Sequence, residues 1–304
     1  MPARSETRVC VWVPFRDACR QFASASEGTQ GAEHIIKLHW YAACRLVLEG
    51  GFHPDLIKPH PPFSVQRKGS RNLLVFDPSA ARGSEATVFG GLKTKNVDVA
   101  VTIPEIGPCI AISTKGTLNA FRNLTNRLEE AVGDCTNLHI AYPGLVYGFI
   151  HAIRGNREGP VPASASHFLK PDPTTGLTKA ADIAIRKNGQ LSEFIQKYHS
   201  AMARLSARKD LRNDYSRYEA IALLVVEGSE AGLGAVLKDF PVSGSPLRIE
   251  GFFDALYQSY DMRYVYGAPE LRTVTRRLEW APNSPALLAI TFDEFQPRIS
   301  AGED

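Results

Sequence analysis

The pattern of apolar and polar residues predicts a long helix near the start of the chain, over Ala32–Leu48. The apolar positions that recur at helical spacing are Ile35, Ile36, Leu38, Ala42, Ala43, Leu46 and Leu48. Gly50 and Gly51 follow at once, and glycine commonly ends helices because it adopts left-handed backbone angles without strain. The next segment is rich in proline, which removes backbone donors and prevents a regular element from extending far.

Short apolar runs then predict four strands and a second helix. The predicted strands are Leu73–Phe76, Val97–Ile103, Cys109–Thr114 and Asn137–Tyr142, and the predicted helix is Leu118–Val132. A turn joins the second and third strands, so we expect them to form an antiparallel hairpin. The order helix, three strands, helix, strand favours an α/β fold with a central mixed β-sheet and helices on both faces.

The second half of the chain is predicted to be more helical. Helices are expected over Gln190–Leu205 and near Glu250–Tyr260, and the apolar run Ala220–Val226 predicts one further strand. The segment Gly155–Thr178 contains four prolines and three glycines. It suggests a boundary between residues 1–154 and residues 155–304.

Composition narrows the class of protein. The 304 residues are 44% apolar, enough for a sizeable core, and the formal charge of +3 neither requires nor excludes a nucleic-acid partner. Five cysteines are scattered without a Cys-x-x-Cys pair, which favours reduced thiols and argues against a structural zinc. We find neither a signal peptide nor an apolar run of the roughly 18–20 residues that a membrane span needs. We therefore expect a soluble, cytoplasmic protein.

Candidate chemistry concentrates in Val97–Glu130. Asp98 lies on the first strand of the predicted hairpin, and Ser113 and Lys115 lie at the end of the second, on one face because residues two apart in a strand share a side. Phosphodiester hydrolysis near neutral pH requires carboxylates that hold a divalent ion and a positive charge beside the attacking water. These residue types at one sheet edge therefore indicate metal-assisted phosphodiester cleavage, with Mg²⁺ as the ion.

The following helix offers a second carboxylate. Arg122, Asn126 and Glu129 fall at helical spacing on one polar stripe. We expect Glu129 to point back toward Lys115, whereas Glu130 is rotated by about 100° and lies closer to solvent.

This arrangement resembles the PD-(D/E)XK nuclease superfamily, whose core has the same order of helices and strands. The acidic residue that usually lies two positions before the lysine is replaced here by Ser113. The CCGG-recognising group of type II restriction endonucleases shows the same departure and takes its missing carboxylate from the following helix, fourteen residues after the lysine. Lys115 and Glu129 have that spacing, so Ser113 corresponds to a vacated acidic position.

The resemblance implies that Asp98, Lys115 and Glu129 are the catalytic residues. It also implies that Asp98 and Glu129 bind the metal together with a glutamate of the first helix, which is Glu33 or, as the alternative, Glu49. His34 and His39 on the same helix are five residues apart, the wrong spacing for one metal, and are not counted among the ligands.

The same group of enzymes reads guanines with an arginine four residues after the lysine and an acidic residue and an arginine at six and seven. Those positions are Asn119, Phe121 and Arg122 here, so only Arg122 matches and the DNA target stays open. The expected DNA contacts are Arg122, Asn119, Lys93, Lys95, Arg67 and Lys68, because basic and amide side chains contact phosphates and bases.

These expectations combine into a Mg²⁺-dependent type II restriction endonuclease that acts on double-stranded DNA as a homodimer or higher assembly. Residues 1–154 would hold the nuclease core with an N-terminal extension, and residues 155–304 would complete it and contribute DNA or subunit contacts. The first alternative is a repair or defence nuclease with the same fold. The second is a non-catalytic DNA-binding protein in which Ser113 marks a lost carboxylate.

Overall fold

Two helical layers enclose a five-stranded mixed sheet in the computed structural model of the chain, which describes residues 11–25, 33–166, 169–238, 242, 244–290, 292 and 294–301. The helices are α1 (Phe15–Ala23), α2 (Ile36–Leu48), α3 (Leu124–Ala141), α4 (Glu193–Leu205), α5 (Ile249–Tyr260), α6 (Arg272–Thr275) and α7 (Pro285–Ala289). The strands are β1 (Ile57–Lys58), β2 (Phe63–Lys68), β3 (Arg71–Phe76), β4 (Ala86–Phe89), β5 (Thr94–Val97), β6 (Val99–Ile103), β7 (Gly107–Thr117), β8 (Val146–Gly155) and β9 (Ala220–Glu227). The predicted α/β class is confirmed.

The central sheet has the strand order β1-β6-β7-β8-β9. Strand β6 runs antiparallel to β1 and β7, which confirms the predicted hairpin, whereas β8 is parallel to both β7 and β9. Helix α3 connects β7 to β8, as a parallel pair requires a long crossover. Two further hairpins, β2–β3 and β4–β5, form separate two-stranded sheets.

Both faces of the central sheet are covered. Helices α1, α2 and α5 pack on one face, and α3 and α4 pack on the other. Every residue of β8 and β9 is buried, and neighbouring residues such as Phe149 and Ile150 point into opposite layers. Strands buried on both sides are apolar throughout rather than alternating, which explains why β9 was predicted from an uninterrupted apolar run.

Three local predictions need correction. The predicted strand Asn137–Tyr142 is wrong, because these residues form the end of α3 and the strand follows as β8. A short apolar run fits a buried helix as well as a strand, and here the helix continues for its full 18 residues. The strand at Leu73–Phe76 exists, but it pairs with β2 in a separate sheet. In the central sheet, Ile57–Lys58 is the strand that pairs with β6. The expected strand Val97–Ile103 is interrupted at Asp98, which separates β5 from β6.

The second half of the chain packs closely on the first. Strand β9 pairs along β8, and the indole nitrogen of Trp280 donates to the carbonyl of Val47 at the end of α2 (2.8 Å). The backbone nitrogen of Arg298 donates to the carbonyl of Leu48 (2.9 Å). The proposed boundary at residue 154 stays a prediction. Within the described ranges, no helix is both long and apolar enough to cross a membrane.

Candidate metal centre

Asp98 lies at a bend between β5 and β6, beside the end of β7. It is 6% exposed, and its Oδ2 atom accepts a hydrogen bond from the backbone nitrogen of Thr114 (2.7 Å). A buried carboxylate is costly unless it is hydrogen-bonded or paired. The bond from Thr114 provides a partner for Oδ2 of Asp98, and Oδ1 faces other neighbours.

Two further donor groups come close to Asp98. The Nε2 atom of the buried His39, on α2, lies 3.7 Å from Oδ1 of Asp98. Glu85 precedes β4, whose first residue pairs with the last residue of β5, so the antiparallel register places Glu85 opposite Asp98. The donor atoms of His39, Glu85 and Asp98 all lie within 4.8 Å of one another.

This donor set fits a divalent cation. A point equidistant from three atoms with that spacing lies within about 2.8 Å of each, close to the ligand distances of roughly 2.0–2.6 Å for divalent ions. Two carboxylates are the ligands that Mg²⁺ prefers, and an imidazole also suits Mn²⁺ and other transition metals. The residues present could therefore hold an ion, with both carboxylates at the base of the β4–β5 hairpin.

The side chain of Asn137 holds the turn of the β4–β5 hairpin against α3. The Oδ1 atom of the buried Asn137 accepts from the backbone nitrogens of Leu92 (2.8 Å) and Lys93 (2.9 Å), and its Nδ2 donates to the carbonyl of Lys93 (2.9 Å). A Cβ atom at Gly90 would lie 2.2 Å from the Asn137 amide, so only glycine fits this close approach. The hairpin that positions Glu85 and Asp98 is therefore fixed at its turn.

Ser113 and Lys115 lie on the α3 side of β7. The Ser113 hydroxyl shares a hydrogen bond with that of Tyr147 (2.8 Å) in the buried layer, so Ser113 is part of the core. Lys115 is half-buried and pairs in register with His151 of β8. Burial, with smaller contributions from Arg127 and Lys115, lowers the pKa of His151 to about 3, so the imidazole is neutral. The Thr114 hydrogen bond connects Asp98 to the residue just before Lys115.

Neither Glu129 nor Glu33 belongs to the group of three. The apolar stripe of α3, including Leu124 and Ala131, packs against the sheet. Glu129 is rotated by about 140° from Leu124 at 100° per residue, and it is exposed on the solvent side. Glu130 is also exposed and pairs with Arg127 (2.7 Å). Glu33 is exposed just before α2. The expectation that the polar stripe of α3 faces Lys115 fails because the apolar stripe takes that side.

The six expected DNA contacts have different surroundings. The side chains of Arg122, Lys93, Arg67 and Lys68 are exposed, and Asn119 is half-buried. Lys95 forms a close ion pair with Asp134 of α3, so it helps to attach the hairpin. The exposure of these residues does not test DNA binding, which stays a prediction.

Sequence reasoning missed His39 and Glu85 for different reasons. His39 was excluded because its spacing from His34 does not suit one metal ion. Its position between the apolar residues Leu38 and Ala42 could have indicated that it lies on the buried side of α2. Glu85 lies in a glycine-containing loop with no motif around it. Only the pairing register of β4 and β5 brings it to Asp98, and that register is not visible in the local sequence.

Comparisons with known proteins add no relative: no family model, no curated protein and no solved structure matches this chain.

Proposed function

We propose that this protein is a divalent-metal-dependent nuclease that cleaves double-stranded DNA. The observation that carries the proposal is the group of His39, Glu85 and Asp98, with donor atoms within 4.8 Å of one another, at the end of the strand that contains Lys115. Mixed carboxylate and imidazole donors suit metal-assisted hydrolysis of a phosphodiester, and Lys115 directly follows Thr114, whose backbone nitrogen donates to Asp98.

In this proposal Asp98, Glu85 and His39 hold the ion, and Glu85 replaces Glu129 as the second carboxylate. When bound, Mg²⁺ or Mn²⁺ would stabilise the negative charge of the phosphate and lower the pKa of a water molecule bound to the ion. The Thr114 hydrogen bond orients Asp98, because it engages one carboxylate oxygen and leaves the other for the ion. Lys115 contributes positive charge that stabilises the charge developing on the phosphate.

The assignment as a type II restriction endonuclease is the specific form of the proposal. It rests on the residue pattern around Lys115, and it implies a homodimer, since a palindromic target cut on both strands matches two-fold symmetry. We propose a cytoplasmic location, because Cys19, Cys109 and Cys135 are free thiols among the described residues. Cys10 lies outside those residues.

The test is cleavage of phage DNA with Mg²⁺, Mn²⁺ or Ca²⁺ by the parent protein and by Asp98→Asn, Glu85→Gln and Glu129→Gln variants. We expect the first two to lose activity by about 100-fold or more, because each removes a charged metal ligand. The Glu129→Gln variant is the matched control and should cleave as the parent does. If Glu129→Gln abolishes cleavage while Glu85→Gln does not, the site is misassigned.

The products separate the alternatives. Discrete DNA bands indicate a sequence-specific restriction enzyme, whereas a smear indicates a repair or defence nuclease. If the parent shifts duplex DNA in a gel but cuts it with none of the three ions, the protein is a DNA-binding protein without catalysis, and the nuclease proposal is wrong.

A further inference from the structure

A polar cavity of about 1040 Å³ lies far from the candidate metal centre, beside the turn of the β2–β3 hairpin. It is lined by hydroxyl, amide and guanidinium groups that include Ser70, Arg71, Asn72, Thr273, Arg276 and Arg277. Helix α2 separates the two sites, since His39 is at the metal centre and Gly50 contacts Arg277. The part of α2 from His39 to Leu48 is about 14 Å long.

Arg277 is held rigidly at the cavity wall. Its Nε and Nη2 atoms donate to the two carboxylate oxygens of Asp261 (2.9 and 2.6 Å), and its Nη1 donates to the carbonyl of Gly50 (2.9 Å). The guanidinium also lies 5.0 Å from the ring centre of Tyr257. An arginine fixed in this way keeps its charge and position without a ligand.

Among the described residues, arginines outnumber carboxylates around the cavity. Arg276, Arg277 and Arg298 are close enough to influence one another, and the nearby carboxylates are Asp261 and Glu279. Arg276 is exposed. Arg71, at the hairpin turn, adds a fourth guanidinium. Like charges held together repel, and an anion in the cavity would relieve that repulsion.

Arg298 does not line the cavity, but it lies within electrostatic reach of Arg277 and Glu279, which do. Its Nη2 donates to Glu279 at 3.4 Å, whereas its buried Nε has no hydrogen-bond partner in the part of the chain that the structure describes. Burial, and then the charge of Arg277, lowers the pKa of Arg298. A buried guanidinium nitrogen without an acceptor is costly.

We infer that this cavity binds a phosphate group, carried either by a free nucleotide or by a nucleic-acid backbone. Guanidinium groups bind phosphate oxygens through paired, charge-assisted hydrogen bonds. Ser70, Asn72 and Thr273 supply neutral donors beside them. The cavity has room for a nucleoside as well as the phosphate. This inference does not depend on the nuclease proposal.

The test is calorimetric titration of the full-length protein, in EDTA and at low salt, with inorganic phosphate, dAMP and a 14-base-pair duplex. We expect Arg276→Gln and Arg71→Gln each to weaken binding by about tenfold, because each removes a charged donor. Arg186→Gln is the matched control, since Arg186 is an exposed arginine near α4 on the other face of the sheet. It should bind as the parent does. Equal binding by the parent and an Arg71→Gln/Arg276→Gln double variant overturns the inference, as does a parent that binds none of the probes.

Competition identifies the source of the phosphate. Displacement of dAMP by the duplex in the parent, lost in the double variant, assigns the cavity to a nucleic-acid backbone. Binding of dAMP that the duplex does not displace assigns it to a free nucleotide. The binding is measured in EDTA, which removes the divalent ions that the proposed nuclease activity needs. The result therefore does not depend on whether the protein cleaves DNA. Thermal unfolding of each variant confirms that the fold is intact.

Discussion

At the scale of single residues, Asp98 combines a structural and a chemical role. One carboxylate oxygen accepts a hydrogen bond from β7, and the other approaches His39 and Glu85. Burying this charge without the hydrogen bond would destabilise the fold. The bond therefore offsets part of the cost of burying Asp98 and orients its carboxylate at the position where an ion would need it.

Two histidines on the α3 side of the sheet are fully buried and neutral. Burial, followed by the charge of Arg208, lowers the pKa of His139 to about 3. Burial likewise lowers the pKa of His151 to about 3, and its ring nitrogens bond to the hydroxyls of Tyr198 (2.6 Å) and Thr117 (2.9 Å). Both histidines have an ordinary value of 6.5 in an unfolded chain.

These pKa values predict how stability depends on pH. Between pH 6.5 and about 3 the unfolded chain binds a proton on His151 that the folded chain does not bind, so the free energy of unfolding falls as the pH falls. The contribution is about 1.4 kcal/mol per pH unit. We measure the free energy of unfolding with urea at several pH values from 4.5 to 7.5. Below pH 6.5, this free energy should fall less steeply with falling pH for His151→Gln than for the parent. Identical slopes in 0.2 M salt would contradict a neutral, buried His151.

At the scale of elements, the β4–β5 hairpin is the part on which the candidate site depends. Glu85 and Asp98 lie immediately outside its two strands, and Asn137 of α3 holds its turn through three hydrogen bonds. The separation of the two carboxylates is thus set by the register of the hairpin and by its attachment to α3. Loosening that attachment should therefore change the separation of the two carboxylates.

We predict that Asn137→Ala loosens the hairpin and weakens the metal site. Loss of a buried amide that satisfies backbone groups should lower the free energy of unfolding by about 1–3 kcal/mol. Hydrogen exchange of the Leu92 and Lys93 amides should accelerate relative to the amides of α3, and Mn²⁺ affinity should fall. Ser200→Ala, at an exposed position of α4, serves as the control for a surface hydrogen bond. Unchanged exchange at Leu92 would show that Asn137 does not hold the turn.

The elements that the sequence predicts well are those with long, regular patterns. Strand β9 was predicted to within one residue, and helix α2 was predicted to its end at Leu48, because the apolar positions of both segments continue for many residues. The helix begins at Ile36 rather than at the predicted Ala32, which lies outside the described residues. The run Asn137–Tyr142 was too short to distinguish a strand from a buried helix end. The two-residue strand β1, inside a proline-rich segment, has no pattern of its own.

The candidate site was only partly predictable for a related reason. Asp98 was found because a carboxylate between apolar strands is conspicuous, and it is indeed buried beside β7. Its neighbours come from α2 and from the loop before β4, which are distant in sequence from β7. Strand register and helix packing bring His39 and Glu85 to Asp98, and neither is visible in spacing alone. Glu129 matched a spacing but lies on the exposed side of its helix.

At the scale of the whole molecule, the sheet joins the two halves of the chain. Strand β9 pairs with residues 148–155 of β8, and both of its faces are buried by helices from each half. The backbone of α2 also receives hydrogen bonds from residues near the C-terminus, such as Trp280 and Arg298. Removing the second half would expose both an apolar face and a complete row of unpaired backbone groups.

We therefore predict that the fragment 1–154 does not fold by itself. Without β9, the nine residues of β8 that the fragment keeps become an exposed edge, and long apolar edges promote aggregation. The fragment should be insoluble when expressed alone, and co-expression with residues 155–304 should recover a soluble complex. A break in the exposed turn near residue 175, with both pieces present, is the matched control, because it leaves every strand of the central sheet intact. A soluble 1–154 fragment with cooperative unfolding would instead establish residue 154 as a true domain boundary, with β9 an addition to a core that is stable without it.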